Sequence, residues 1–217
     1  MSSRKCLRCG LVNFADVDIC RRCSAVLGDR MAVTPAAGRT GSAMVIRVGA
    51  IGGTVAAVLL GWWVSLLATS DPLDNEQRAL VDDAIVLLDE RGFSRHAFVL
   101  RHVTSFRSTD NWWNLYHAHY QAYAATNFPF EIVTLYPWFF ELPADDVERA
   151  VVLLHEGYHL MGADEATALR QVWREKAKLG WTADVYGRSK VWKNTREWTE
   201  YSAPELFACG EDEECVP

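Results

Sequence analysis

The run Val48–Ala68, VGAIGGTVAAVLLGWWVSLLA, contains no charged residue, and its only polar side chains are Thr54 and Ser65. As a helix rising about 1.5 Å per residue it would be roughly 32 Å long, the thickness of a bilayer's hydrocarbon core. A soluble helix of that length carries a polar face, and this one has none. A cleaved secretory leader has a short basic start and a small-x-small end. Here the run lies far from the N-terminus and closes on Leu66-Leu67-Ala68. The run therefore predicts one membrane span, and a span divides the chain into parts with different solvents.

The charges divide in the same way. Residues 1–47 hold eight Lys/Arg (Arg4, Lys5, Arg8, Arg21, Arg22, Arg30, Arg39, Arg47) against three acids, Asp16, Asp18 and Asp29. Beyond the run the balance reverses, beginning with Asp71, Asp74 and Glu76, and the whole chain has a net charge of −6. Basic residues flanking a span stay on the cytoplasmic side, which predicts a cytoplasmic N-terminus and an extracytoplasmic domain over 72–217. The net acidity speaks against a general nucleic-acid binder. Trp62 and Trp63 fit the aromatic belt at the outer surface. Gly49, Gly53, Ala57 and Gly61 form a small-xxx-small stripe that would allow a homodimer through the span.

The six cysteines separate into four and two. Cys6-x2-Cys9 and Cys20-x2-Cys23 are two CxxC turns, each aiming two sulfurs at one ion, and together they predict a structural Cys₄ zinc site. Residues 1–28 are too few to build a core, so bound metal would supply most of their folding energy. Thiolates kept reduced suit a cytosolic face. Cys209 and Cys215 flank GEDEE and are expected to form a disulfide if that end is outside. Residues 29–47, with Pro35, Gly38 and Gly41, read as a flexible linker.

Segments KCLRCGLVNFADVDICRRCSAVLG and Cys9-x3-Asn13-x6-Cys20 carry two resemblances. The first is similar to the zinc ribbons at the N-termini of many bacterial membrane proteins, which implies a cytosolic protein partner. The second resembles the nuclear-pore class of zinc finger. The tryptophan usual before the first cysteine of that class is absent here, so RNA or ubiquitin binding is not expected.

In the C-terminal part, Asp74–Arg91 has helical periodicity with Gly92 as its stop, and Ala97–Phe106 reads as a strand. Asp110–Tyr123 reads as a short aromatic helix and Phe130–Pro137 as a second strand. Asp145–Met161 is a strong helix, a further helix starts at Asp164 or Glu165 and runs to Leu179, and Tyr186–Tyr201 reads as helical. The class expected is α+β. On the strong helix lies His155-Glu156-Gly157-Tyr158-His159. Histidines at i and i+4 share one face and can reach one ion, while Glu156 can act as general base on a metal-bound water. Gly157 weakens the helix by about 1 kcal/mol, a cost consistent with close packing there.

HExxH with this continuation, His159-Leu-Met-Gly162-Ala-Asp164-Glu165, resembles the zincin metallopeptidases of the aspzincin and metzincin kind. That resemblance implies a zincin-like domain with the motif helix packed on a small sheet. It also implies a catalytic zinc on His155 and His159, and a third ligand at Glu165, preferred over Asp164. In zincins the strand before the motif helix forms the substrate-binding edge, and FEIVTLYPWFF occupies that place. Two features depart from the family: Ala168 stands where aspzincins have a tyrosine, and no Met-turn is evident. The oxyanion donor is therefore open among Tyr158, Tyr186, Tyr201, His117 and His119. His117 and His119 themselves read as part of an aromatic packing helix rather than as metal ligands.

Two functions follow as expectations. One is a membrane-anchored zinc metallopeptidase acting on a peptide or protein substrate. The other is a non-catalytic membrane adaptor or sensor whose outer domain is held together by zinc. Both call for two Zn²⁺, and they part at Glu156, which only the enzyme needs.

Overall fold

A computed structural model describes residues 3–28, 40–116 and 122–208. The chain is mixed α+β and divides into two compact units, Met1–Ala56 and Ala57–Pro217. Cys209, Cys215, His117, His119 and the linker positions 29–39 lie outside the described residues.

In the first unit, β1 (Ser3–Lys5) and β2 (Val12–Phe14) pair antiparallel, and an isolated bridge joins Ile19 to Val26. The core of this unit is Cys6, Cys20 and Leu27, with Cys9 and Cys23 packed beside them. A core that small cannot hold two short strands in place by burial alone.

The span residues belong to α1 (Thr40–Ala68), which starts before the expected boundary, so residues 40–47 are helix and not linker. No proline interrupts this segment, and nothing in it ends a helix. From Met44 to Ala68 the helix is long and apolar enough to cross a membrane, and none of its most apolar window is buried in the protein. A continuous exposed surface of Val45, Ile46, Ile51, Val55, Val58, Leu59 and Leu60 needs a non-aqueous neighbour. A side chain added at Gly49, Gly53 or Gly61 would meet nothing within 4 Å.

The second unit is built around α6 (Asp146–Leu160). Asp145 caps its start, accepting from the Val147 and Glu148 N–H groups at 3.0 and 3.2 Å. Its Val151-Val152-Leu153-Leu154 run is buried throughout because neighbours cover several faces: α2 (Asn75–Glu90), α3 (Ser94–His102), α7 (Glu165–Leu179) and a strand. A helix apolar on all sides belongs at the centre of a domain. Gly162, at φ +86°, turns the chain out of α6, and Gly180, at φ +78°, ends α7 in the left-handed conformation that glycine tolerates.

The stretch read as a strand over Ala97–Phe106 is instead mostly α3. Phe93, Ala97 and Leu100 are buried at helical spacing, whereas Phe98 and Val103 point outward. Only Ser105–Arg107 is extended, as β3. A short apolar run does not separate the two periods, and packing on α2 and α6 decides for the helix.

A three-stranded sheet has the order β3-β5-β4, with β5 (Ile132–Leu135) parallel to β3 and antiparallel to β4 (Ala124–Asn127). Val133 is the shared register point, opposite Phe106 on one side and Thr126 on the other. β5 is therefore the inner strand and not the edge expected of FEIVTLYPWFF; the edge beside α6 is β4. Its sequence, AATN, has one β-branched residue and gives little strand signal. Pro137, read as the strand's stop, opens the short helix α5 (Pro137–Glu141), where its missing N–H costs nothing. Among the described residues between β3 and β4 is a short helix, α4 (Trp112–Leu115), capped by the Asn111 side chain. Then come α8 (Ala183–Tyr186) and α9 (Lys190–Ser202), whose Trp192 packs with Trp173 of α7 and with Trp181.

Candidate metal centre

His155 and His159 stand one turn apart on α6, and the turn through Gly162 brings the first residue of α7, Glu165, back against them. The Nε2 atoms of the two imidazoles are 3.0 Å apart. Glu165 Oε2 lies 3.0 Å from His159 Nε2, and Oε1 lies 3.4 Å from His155 Nε2. Ligands about 2.0–2.1 Å from a tetrahedral zinc are about 3.3 Å from one another, so the spacing fits one small ion.

The tautomer fits as well. His159 Nδ1 is 2.9 Å from the Ala163 carbonyl, which can only accept a hydrogen bond; the ring proton therefore sits on Nδ1 and leaves the Nε2 lone pair facing Glu165. Three electron-pair donors converge on one point, an arrangement that is satisfied by a proton or a cation. Without metal the protons take that role. Burial opposes charging of His159, but the Glu165 hydrogen bond, the Glu156 charge and the Ala163 carbonyl together raise its pKa to about 9. Hydrogen bonds from His155 and then His159 hold the Glu165 carboxyl well below the usual carboxylate range.

Asp164, the alternative third ligand, faces elsewhere. Its Oδ1 accepts the Thr167 N–H at 2.8 Å and caps α7. Glu156 is 5 % exposed and stands apart from the three converging groups. Its Oε2 accepts the Thr126 hydroxyl of β4 at 2.6 Å, which fixes the carboxylate against the sheet edge. Gly157 has a specific cause: a Cβ built there would come within 3.1 Å of His96 Cδ2 on α3. Its neighbour Tyr158 turns the same way and packs edge-on against His96, with ring centroids 4.6 Å apart.

A cleft of about 770 Å³ runs over this group. Its lining includes Ala124–Phe128 along β4, Trp113, His155, Glu156 and His159, with Tyr123 and Asn194 on the wall. None of the described oxyanion candidates lines it. Tyr158 packs on His96, Tyr186 donates its hydroxyl to Asp145 Oδ2 at 2.7 Å at the far end of α6, and Tyr201 is exposed. Among the polar groups that do line the cleft, Thr126, Tyr123 and Asn194 escaped the sequence reading. Tyr123 and Thr126 come from the stretch around β4 and Asn194 from a helix some seventy residues later, and no local pattern marks them. Asn194 Nδ2 donates to the Tyr123 hydroxyl at 2.9 Å. Burial pushes the Tyr123 phenol up, so it stays protonated.

The four N-terminal cysteines also converge: Cys6 Sγ is 3.6 Å from Cys23 Sγ, and Cys9 Sγ is 3.5 Å from Cys20 Sγ. Four sulfurs about 2.3 Å from one zinc would stand about 3.8 Å apart. The two turns repeat one design. Gly10 and Ser24 donate their N–H groups to the carbonyls of Cys6 and Cys20 at 2.8 and 2.9 Å, and both residues have positive φ. Asn13 Nδ2 reaches Cys20 Sγ at 3.6 Å, while its Oδ1 accepts the Arg21 N–H. The backbone N–H of Arg22, ahead of smaller contributions, lowers the Cys20 thiol to about 6 and favours the thiolate a metal takes.

No protein-family model, curated protein or solved structure matches the chain.

Proposed function

We propose that the chain is a membrane-anchored zinc metallopeptidase of the zincin type, with the cysteine ribbon in the cytosol and the peptidase domain outside. The observation that carries the reading is the convergence of His155 Nε2, His159 Nε2 and the Glu165 carboxylate on one point, with Glu156 held beside it and an edge strand alongside. A ribbon or binding module has no need of a buried, oriented carboxylate next to a group of ligands.

In this reading His155, His159 and Glu165 hold a zinc ion, which when bound supplies a Lewis acid and an acidified water. β4, paired on one side only among the described residues, receives an extended peptide through main-chain hydrogen bonds. Glu156 takes the proton from the attacking water and passes it to the leaving amine. Thr126 keeps the Glu156 carboxylate aimed while its charge changes. Tyr123, whose hydroxyl already receives a hydrogen bond from Asn194, has its own proton left to donate toward the oxyanion. The mechanism asks the Tyr123 phenol to stay protonated, and burial favours that form.

The test is hydrolysis of a broad peptide library by the full-length chain in detergent, with and without a chelator and with His155→Ala alongside. Metal-dependent cleavage that His155→Ala abolishes supports the reading. A chain that holds zinc at His155 and cleaves nothing in the library would give the adaptor function the lead.

A further inference from the structure

The end of the apolar helix packs against the cleft's outer wall. The Trp62 ring stacks on Trp112 and Phe130 at centroid distances of 6.0 and 5.8 Å, and meets Trp113, a cleft residue, edge-on at 5.5 Å. Trp112 Nε1–H donates to Ser65 Oγ at 3.1 Å, and the Trp112 N–H donates to Thr69 Oγ1 at 3.3 Å. The Arg107 guanidinium donates to the Leu67 carbonyl, and Leu66 is buried. Just beyond the helix the Asp71 N–H donates to Thr109 Oγ1 at 2.8 Å, and Asp71's carbonyl accepts from the Ser108 N–H at 2.9 Å. The helix end is thus clamped to the domain, with no loose tether between them.

That clamp fixes the height of the cleft over a bilayer. Trp62 precedes Ala68 by six residues, about 9 Å of helix, which puts its ring at or just under the headgroup level where tryptophan concentrates. Whatever packs on Trp62 is at that level too, on whichever side of the membrane the domain lies. Two cleft elements do so: α4, through Trp113, and the turn after β4, which carries Phe128 into the cleft and Phe130 onto Trp62. Leu115, Tyr116 and Phe128 around this end are exposed, apolar or amphipathic, and suited to an interface. β4 therefore runs from the cleft toward the membrane. Thr126, the residue touching Glu156, precedes Phe128 by two positions, roughly 7 Å along a strand.

We propose that the cleft takes an extended segment of a second membrane-anchored chain, cut within a few residues of the point where that chain leaves the bilayer. The proposal rests on the peptidase reading above and adds the class of substrate. A peptide laid along the free edge of β4 passes Glu156 and reaches the bilayer surface about two residues later. An anchored chain supplies a segment at that height, whereas a soluble peptide has to be brought there from bulk. The clamp holds the chemistry at one depth, so the distance of the cut from the substrate's own span becomes the element of recognition.

The experiment places the full-length protein in phosphatidylcholine–phosphatidylglycerol vesicles with three probes sharing one randomised segment. In the first the segment begins about two residues from a single span. In the second a flexible Gly/Ser spacer of about 25 residues, roughly 25–30 Å in reach, is inserted between them. The third is the free peptide. The near-anchored probe is expected to be cut at least about tenfold faster than the spaced one. Trp62→Ala and a Gly/Ser insertion after Thr69 should each shrink that ratio while hydrolysis of the free peptide persists. Equal rates for near and spaced probes would overturn the juxtamembrane proposal and leave the peptidase reading standing. Cleavage of none of the three by a zinc-loaded chain would remove both.

Discussion

Among single residues, those that hold Glu156 and those that converge on the ion point have separable tasks. Thr126→Val removes the hydroxyl that donates to Glu156 but leaves the β-branched shape in the strand. The expected result is a fall in kcat of about tenfold with KM and zinc content unchanged, read from steady-state kinetics and metal analysis. A loss of zinc in this variant would mean that the threonine supports the ion and not the base. Tyr123→Phe should lower kcat by about 10–100-fold without changing KM, since it removes a donor needed only as charge develops. The proposed metal ligands should behave otherwise: Glu165→Ala should lose zinc, and Asp164→Ala should keep it at some cost in α7 capping of about 1 kcal/mol. Glycine at 157 is a packing residue. Alanine is worth about 1 kcal/mol over glycine in a helix interior, yet its Cβ would crowd His96. Gly157→Ala alone should therefore fail to stabilise the domain, and Gly157→Ala with His96→Ala should recover part of that helix gain relative to His96→Ala alone. A gain from the single substitution in thermal unfolding would show that the His96 ring can move aside.

Between elements, the α3–α6 seam makes folding pH-dependent. Burial first, and then the charges of Arg95 and Lys178, hold the His96 imidazole below its ordinary pKa; Tyr158 and Phe93 are the rings against it. An unfolded chain takes up the proton near pH 6.5, while the folded chain resists it. The contribution to stability is complete above about pH 6.5 and is lost as pH falls through the lower folded value. Melting curves between about pH 7.5 and 5 should fall more steeply for the wild type than for His96→Gln, and parallel curves would refute the assignment. How much of this arrangement the sequence disclosed depended on locality. α2, α6 and α7 announce themselves through caps, periodicity and glycine stops, because those signals sit within one helix. His155, His159 and Glu165 were legible for the same reason: an i, i+4 pair and a turn six residues long are local. The edge strand was not. AATN has little strand propensity, and β4 exists because β5 pairs with it and α6 packs on it. α3 was misread because a short apolar run fits either period until its neighbours choose. Asn194 meets Tyr123 only through the tertiary fold, and Thr126 meets Glu156 only because β4 packs beside α6, so nothing in their own neighbourhoods points to the cleft.

Taken whole, the molecule should hold metal at two separate sites on one chain. Full-length protein should carry two zinc ions, and removal of residues 1–30 should leave one. A truncated chain without metal would contradict the site on α6. A compartment-sensitive reporter at each terminus should place the cysteines in the cytosol and His155 outside, following the basic residues before α1. A cytosolic C-terminus would overturn that orientation and, with it, the expected Cys209–Cys215 disulfide. The central claim, that the His155–His159–Glu165 group does chemistry and does not merely hold the domain together, turns on Glu156. The most direct measurement is peptide hydrolysis by the wild type and Glu156→Gln at equal, measured zinc content. Full zinc occupancy is expected in both, with at least about a hundredfold loss of rate in the variant. A Glu156→Gln protein that cleaves at the wild-type rate would contradict that claim.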